Sequence, residues 1–229
     1  MRLLVSVRNA SEAAAAVAGG ADIVDAKEPS NGPLGQVSLA ALASIASTVA
    51  GSAPVSVALG DVCRDDIVRG AHDATRVQAA FVKVGFAGMR GRRDAAAGAL
   101  ASATASTSAG LVLVAYADYE KSGALSPDEV IALADCCGAA GVLIDTCDKY
   151  GPGLTTLLTS DSLRSFVARA GGSGRLVAVA GSLTIDDLNR VHDAGADIAG
   201  VRGAACDNGR NGVVSESRVR ALGRALRRD

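Results

Sequence analysis

The chain alternates between short apolar runs and longer segments rich in Ala, Leu and Arg. The runs are "LLVSV" from Leu3, "DIVDA" from Asp22, "VSVAL" from Val55, "FVKVG" from Phe81, "LVLVAYAD" from Leu111, "GVLIDT" from Gly141, "LVAVAG" from Leu176 and "DIAGVRG" from Asp197. They are near-continuous rather than alternating in polarity, the pattern of parallel strands covered on both faces. The intervals open on helix-capping residues, Ser11, Ser38, Ser126, Asp161, Thr184 and Ser215, and so predict helices. A helix end, a glycine and a strand recur in "AGGADIVDA", "CGAAGVLID" and "DAGADIAGV". Eight strand–helix units in 229 residues predict an α/β protein, a single (β/α)8 TIM barrel, for which about 250 residues is typical. No linker interrupts the series, so residues 1–229 read as one catalytic domain. A doubly wound open sheet is the alternative.

Composition narrows the function. Hydrophobic residues make up 49% and the net charge is −1, which excludes a disordered chain and gives no general attraction to nucleic acid or to an anionic membrane. Aromatic residues are 3% with no Trp, too few for base-stacking platforms. No 18-residue apolar run suggests a membrane span. The opening "MRLLVSVRNASE" reaches Arg8, Asn9 and Glu12 before a signal peptide's apolar stretch could finish, so a cytoplasmic location is expected. Five cysteines without a C-x-x-C pair read as reduced packing residues. Two histidines, His72 and His192, sit in helical stretches, and no metal site is expected. The sequence permits a homo-oligomer without specifying one.

Only four of the 23 Lys and Arg residues are lysines: Lys27, Lys83, Lys121 and Lys149. Arginine stays protonated, whereas a desolvated lysine can act as nucleophile or base. In either candidate fold, chemistry gathers at the C-terminal ends of strands. Asp25 and Lys27 close the second run, Lys83 lies inside the fourth, Asp118 closes the fifth, and Asp145 closes the sixth with Lys149 four residues on. Asp25 and Lys27, at i and i+2, share a face and can touch. They read either as an ion pair closing the barrel end or as a tuned amine served by an acid. Lys83 needs a partner if buried, with Asp61 or Asp118 available, or it faces a substrate anion or depresses the pKa of Lys27. Lys121 reads as a solvated loop charge. Gly181 and Ser182 after the seventh run, and Arg202 and Gly203 after the eighth, read as a phosphate site or as plain turns.

The stretches "LLVSVRNASEAAAAVAGGADIVDAKEPSNGPLG", "FVKVGFAG", "LIDTCDKYG", "VAGSL" and "GVRGAAC" resemble the (5-formylfuran-3-yl)methyl phosphate synthase family, also called 4-(hydroxymethyl)-2-furancarboxaldehyde-phosphate synthase, of methanofuran biosynthesis. The resemblance extends over nearly the whole chain. It implies a TIM-barrel lyase that needs no metal or organic cofactor. Its implied substrate is a phosphorylated triose: two molecules of glyceraldehyde 3-phosphate condense into a phosphorylated furan aldehyde, losing one phosphate and water. The implied roles are Lys27 as the Schiff-base lysine with Asp25 beside it, Lys83 as a second active-site lysine, and Asp145 with Lys149 as a proton-transfer pair. A class I aldolase-like triose-phosphate enzyme and a noncatalytic phosphometabolite-binding barrel are the alternatives.

Overall fold

The structure, a computed structural model, describes residues 1–172 and 174–227. Eight parallel strands close into a barrel in chain order: β1 (Arg2–Val7), β2 (Ile23–Ala26), β3 (Val55–Asp61), β4 (Phe81–Gly85), β5 (Gly110–Tyr116), β6 (Gly141–Asp145), β7 (Leu176–Val179) and β8 (Ile198–Val201). Each apolar run supplies one strand. β1 pairs with both β2 and β8, which completes the ring and excludes the open sheet.

The helices are α1 (Ala10–Ala18), α2 (Leu39–Val49), α3 (Ile67–Arg76), α4 (Arg93–Ala105), the single-turn α5 (Tyr119–Ser122), α6 (Pro127–Cys137), the single-turn α7 (Leu154–Leu157), α8 (Ser160–Ala170), α9 (Leu188–Asp193) and α10 (Glu216–Leu226). After β8 the chain forms a small antiparallel ribbon, β9 (Cys206–Asp207) with β10 (Val213–Val214), which the sequence pattern did not reveal.

The strands are mostly apolar because each separates two packed layers. Val5, Val24, Val57, Val84, Leu113 and Val142 point outward into the helix-covered core. Leu4, Ile23, Ala58, Val112, Leu143 and Ile198 pack inside the barrel. Asp25, Lys83 and Asp145 each lie two residues beyond an inward side chain, Ile23, Phe81 and Leu143, so strand phase aims them at the axis.

Helix entry follows side-chain chemistry with some shifts from expectation. Ser38 and Ser126 cap α2 and α6, and Ser126 forms a reciprocal capping box with Glu129. Asn9, not Ser11, caps α1, and Thr159, not Asp161, caps α8. In both cases the residue nearer the turn has the extended backbone that lets its oxygen reach back to the first helical N–H groups. Thr184 opens a turn whose hydroxyl and amide donate to Asp187, and α9 begins only after it. Ser215 precedes α10 but makes no capping bond.

The repeated helix-to-strand connection has one physical basis. Gly20, Gly138 and Gly195 take φ of 84°, 63° and 83°, and the next amide donates five residues back, as in Ala21 N to Ala16 O and Ala139 N to Ala134 O. Gly tolerates that left-handed turn without a Cβ penalty. Gln78, at φ 55°, makes the same connection before β4, which a search for glycine misses.

Candidate active site

Small inward residues leave the barrel interior incompletely filled. Ser56, Gly141, Ala178 and Gly200 face a cavity of about 410 Å3 that runs from the C-terminal mouth down between the strands. Lys27, Lys83, Asp145 and Lys149 line it together. The four acid or lysine positions within or just after the second, fourth and sixth runs thus converge, with Asp25 buried just behind them.

Asp25 sits on β2 with Ser6 of β1 and Ser56 of β3 as its register neighbours. Its Oδ2 lies 2.7 Å from Lys83 Nζ and accepts the Ser6 hydroxyl at 2.8 Å. Between Asp25 and Lys83, β3 presents only Ser56 and Ala58 on its inner face, and those short side chains leave room for the lysine to cross. This corrects two expectations. Asp25 pairs with Lys83 rather than Lys27, and Lys83 finds neither Asp61 nor Asp118. Asp61 accepts the Tyr116 hydroxyl and Ala87 N–H, while Asp118 accepts Cys147 and Asp148 N–H groups and so shapes the loop after β6. Burial alone pushes the Asp25 carboxyl up, but Lys83 and then Lys27 outweigh it and hold the group below its usual range.

Lys149 Nζ donates to Asp145 Oδ1 at 2.5 Å, and Thr146 N–H donates to the same oxygen at 2.7 Å. Lys149 and Lys27 hold the buried Asp145 carboxyl down against desolvation. Burial draws the Lys149 amine down as well, with Asp145 opposing. In this pair the Lys149 amine gives up its proton more readily than that of a surface lysine.

Lys27 extends the β2 ladder by one bond, its N–H donating to Val7 O at 2.9 Å, which keeps its side chain in phase with Asp25. Among the described residues its amine has no ion-pair or hydrogen-bond partner. Burial, and then the positive charge of Lys83, draw that amine down to about 7, with Asp145 pulling the other way. Lys121 pairs with Asp148 at the exposed rim, as expected of a solvated charge.

Gly181 and Ser182 take φ of 112° and 55° beyond β7. No protein acceptor among the described residues takes the N–H groups of Ser182, Leu183, Gly203 or Ala204, and all four residues line the cavity. Free amides on cavity-lining residues suit an anion.

Arg202 does not supply the expected contact. Its five N–H donors are all spent: Nε on Arg210 O, Nη1 on Ser6 O and Glu12 Oε2, Nη2 on Glu12 Oε1 and Gly212 O. Glu12 and Arg202 are buried together, and this pair ties α1 and β1 to the ribbon. The cue in the sequence was Asn9-x-x-Glu12, a capping pattern whose acid is drawn instead to the Arg8 amide and Arg202. Arg210, Ser6 and Ser56 are further cavity residues that the sequence reading did not single out.

Among the described residues no three His, Cys, Asp or Glu side chains converge as metal ligands, and no helix is long and apolar enough to cross a membrane.

The fold resembles phosphoribosylanthranilate isomerase from Thermotoga maritima, with a TM-score of 0.68 and 12% identity over 99% of this chain and 98% of that one. It also resembles KGPDC from Streptococcus mutans, with a TM-score of 0.65 and 14% identity over 98% and 96%. Both likenesses concern architecture. In sequence, the (5-formylfuran-3-yl)methyl phosphate synthase of Methanopyrus kandleri is 37% identical over 98% of each chain, and that of Methanothermobacter thermautotrophicus is 34% identical over 97% of each. The family model for 4-HFC-P synthase matches residues 3–223. With a full-length family match and the converged lysines and aspartates, the chain belongs to the 4-HFC-P synthase family.

Proposed function

We propose that this chain is a (5-formylfuran-3-yl)methyl phosphate synthase that joins two molecules of glyceraldehyde 3-phosphate through a Schiff base on Lys27, with loss of phosphate and water, for a methanofuran-type cofactor. The observation that carries the reading is the placement of Lys27: a cavity-lining amine with no carboxylate partner among the described residues, drawn down to about 7 by burial and the Lys83 charge. An uncharged amine attacks an aldehyde, and the resulting iminium draws electrons from the adjacent C–H so that this carbon can become the nucleophile.

The other residues take roles their contacts allow. Lys83, fixed by Asp25, keeps a positive charge near Lys27 and so favours its free-base form. Asp145 and Lys149 serve as the proton-transfer pair for isomerisation, carbon–carbon bond formation and departure of phosphate and water. The free amides of Ser182, Leu183, Gly203 and Ala204 hold a substrate phosphate.

Purified protein incubated with glyceraldehyde 3-phosphate alone tests the reading. The expected product is the phosphorylated furan aldehyde, identified by mass and by furan absorbance. A sugar phosphate carrying both phosphates would instead make the protein aldolase-like, and absence of any turnover would leave a binding barrel.

A further inference from the structure

Arg210 stands at the turn of the β9–β10 ribbon, held from beneath by Arg202, whose Nε donates to Arg210 O and whose Nη2 donates to Gly212 O. Its side chain spans the cavity mouth to the loop that follows Lys27: Nη2 donates to Gly32 O at 2.9 Å and to Pro29 O at 3.3 Å. Those two bonds use both hydrogens of Nη2. The hydrogens on Nε and Nη1 have no acceptor among the described residues, and no carboxylate there lies within ion-pair range, yet the residue lines the cavity. A half-buried guanidinium with most of its donors open is an unfinished interaction.

The surrounding charges indicate what completes it. Glu12 neutralises Arg202, Asp25 faces Lys83 and Asp145 faces Lys149. Among the described residues Arg210 has no ion-pair partner, and Asp145, whose charge reaches it, is already paired with Lys149. Nearby, the open amides of Gly203 and Ala204 belong to the same β8 segment that Arg202 clamps. The charged Nη1 group beside free backbone N–H groups suits the oxygens of a phosphate monoester.

We propose that Arg210 binds a phosphate group of the substrate through the open hydrogens of Nη1, with the Glu12–Arg202 pair positioning the ribbon that carries it. This deepens the reading of the cavity as a triose-phosphate site and reassigns the charged phosphate contact from Arg202 to Arg210.

The test measures binding of inorganic phosphate by calorimetry at constant ionic strength, with no turnover involved. Arg210→Gln should weaken phosphate about tenfold or more, the scale of a lost charge-assisted contact. Arg210→Lys should fall between Gln and the natural residue. Phosphate affinity unchanged in Arg210→Gln overturns the proposal, as does a natural protein that takes up no phosphate. If Arg210→Gln fails to fold, Arg210→Lys decides: weakened phosphate at an unchanged Tm supports the contact, and unchanged affinity removes it. Arg210-dependent phosphate binding in a protein that makes no furan would sink the synthase reading and leave this proposal standing.

Discussion

Lys83 reaches across β3 to Asp25, Nζ to Oδ2 at 2.7 Å, and in doing so leaves Lys27 as the lysine of the cavity without a carboxylate. The two lysines thereby differ in kind although both are buried. One is fixed in an ion pair with a second bond from Ser6 behind it; the other is a free amine beside that pair. Asp25 acts on Lys27 chiefly by securing Lys83, since among the influences on the Lys27 amine the Lys83 charge outranks Asp25.

Trapping of the imine should therefore follow the ionisation of Lys27. Borohydride reduction in the presence of glyceraldehyde 3-phosphate should modify the Lys27 peptide with a yield that rises with pH through about 7. Lys83→Met removes a like charge and should move that rise to higher pH. Asp145→Asn removes an opposite charge and should move it lower. Both variants shifting in one direction, or modification appearing on Lys149 instead, would contradict the assigned electrostatics.

Lys27→Met gives a stability test of the same idea. The folded pKa of about 7 lies below the unfolded value of 10.5, so the unfolded chain binds more protons between those values and the natural protein gains stability as pH rises through that window. Replacing Lys27 by Met removes the cost of burying a cation. Its Tm should exceed that of the natural protein most at and below pH 7, and the gap should narrow towards pH 10, while furan formation is lost. A Tm difference that stays constant across this range would mean that the amine is not desolvated.

The Glu12–Arg202 pair makes a contrasting prediction. Glu12→Gln keeps the volume but leaves a buried guanidinium without its carboxylate, a change that costs about 3–5 kcal/mol. For a chain of this size Tm should fall on the order of 10 °C. Thermal unfolding followed by circular dichroism measures it. A fall of only about 2 °C would show that the pair is not what ties α1 to the ribbon.

The barrel was legible in the sequence because strands buried on both faces form near-continuous apolar runs, which marks all eight. Lys27, Lys83, Asp145 and Lys149 were legible for a related reason: strand phase and strand ends place them on one axis whatever their contacts. Partner choice was not. Proximity in sequence favoured Asp25 with Lys27, whereas closure of the barrel brings Lys83, 58 residues later in the chain, across a strand of small side chains. Arg202 failed as a phosphate ligand because its carboxylate lies 190 residues away in α1. Arg210, in a glycine-rich turn, carries no strand phase that could have placed it in the cavity.

Gly181 joins the fold to the chemistry most directly, and its substitution separates proton transfer from imine formation. Its carbonyl accepts Leu154 N–H at 2.9 Å, which fastens the loop after β7 to the loop after β6. A Cβ there would stand 2.9 Å from Leu154 Cβ and 3.1 Å from Thr146 Cγ2, at a φ of 112°. Gly181→Ala thus adds backbone strain of about 1–3 kcal/mol and pushes on the segment that holds Asp145, Thr146 and Lys149. Tm should drop by roughly 5 °C, and kcat should fall because the Asp145–Lys149 pair is displaced. Lys27 follows β2, away from this contact, so borohydride trapping at Lys27 should persist. Gly153→Ala is the matched control: its added Cβ meets Gly181 O at 3.5 Å, an ordinary contact, at a φ of −67°. If the two variants behave alike in Tm and kcat, the close approach at Gly181 does not set the geometry of the proton-transfer pair.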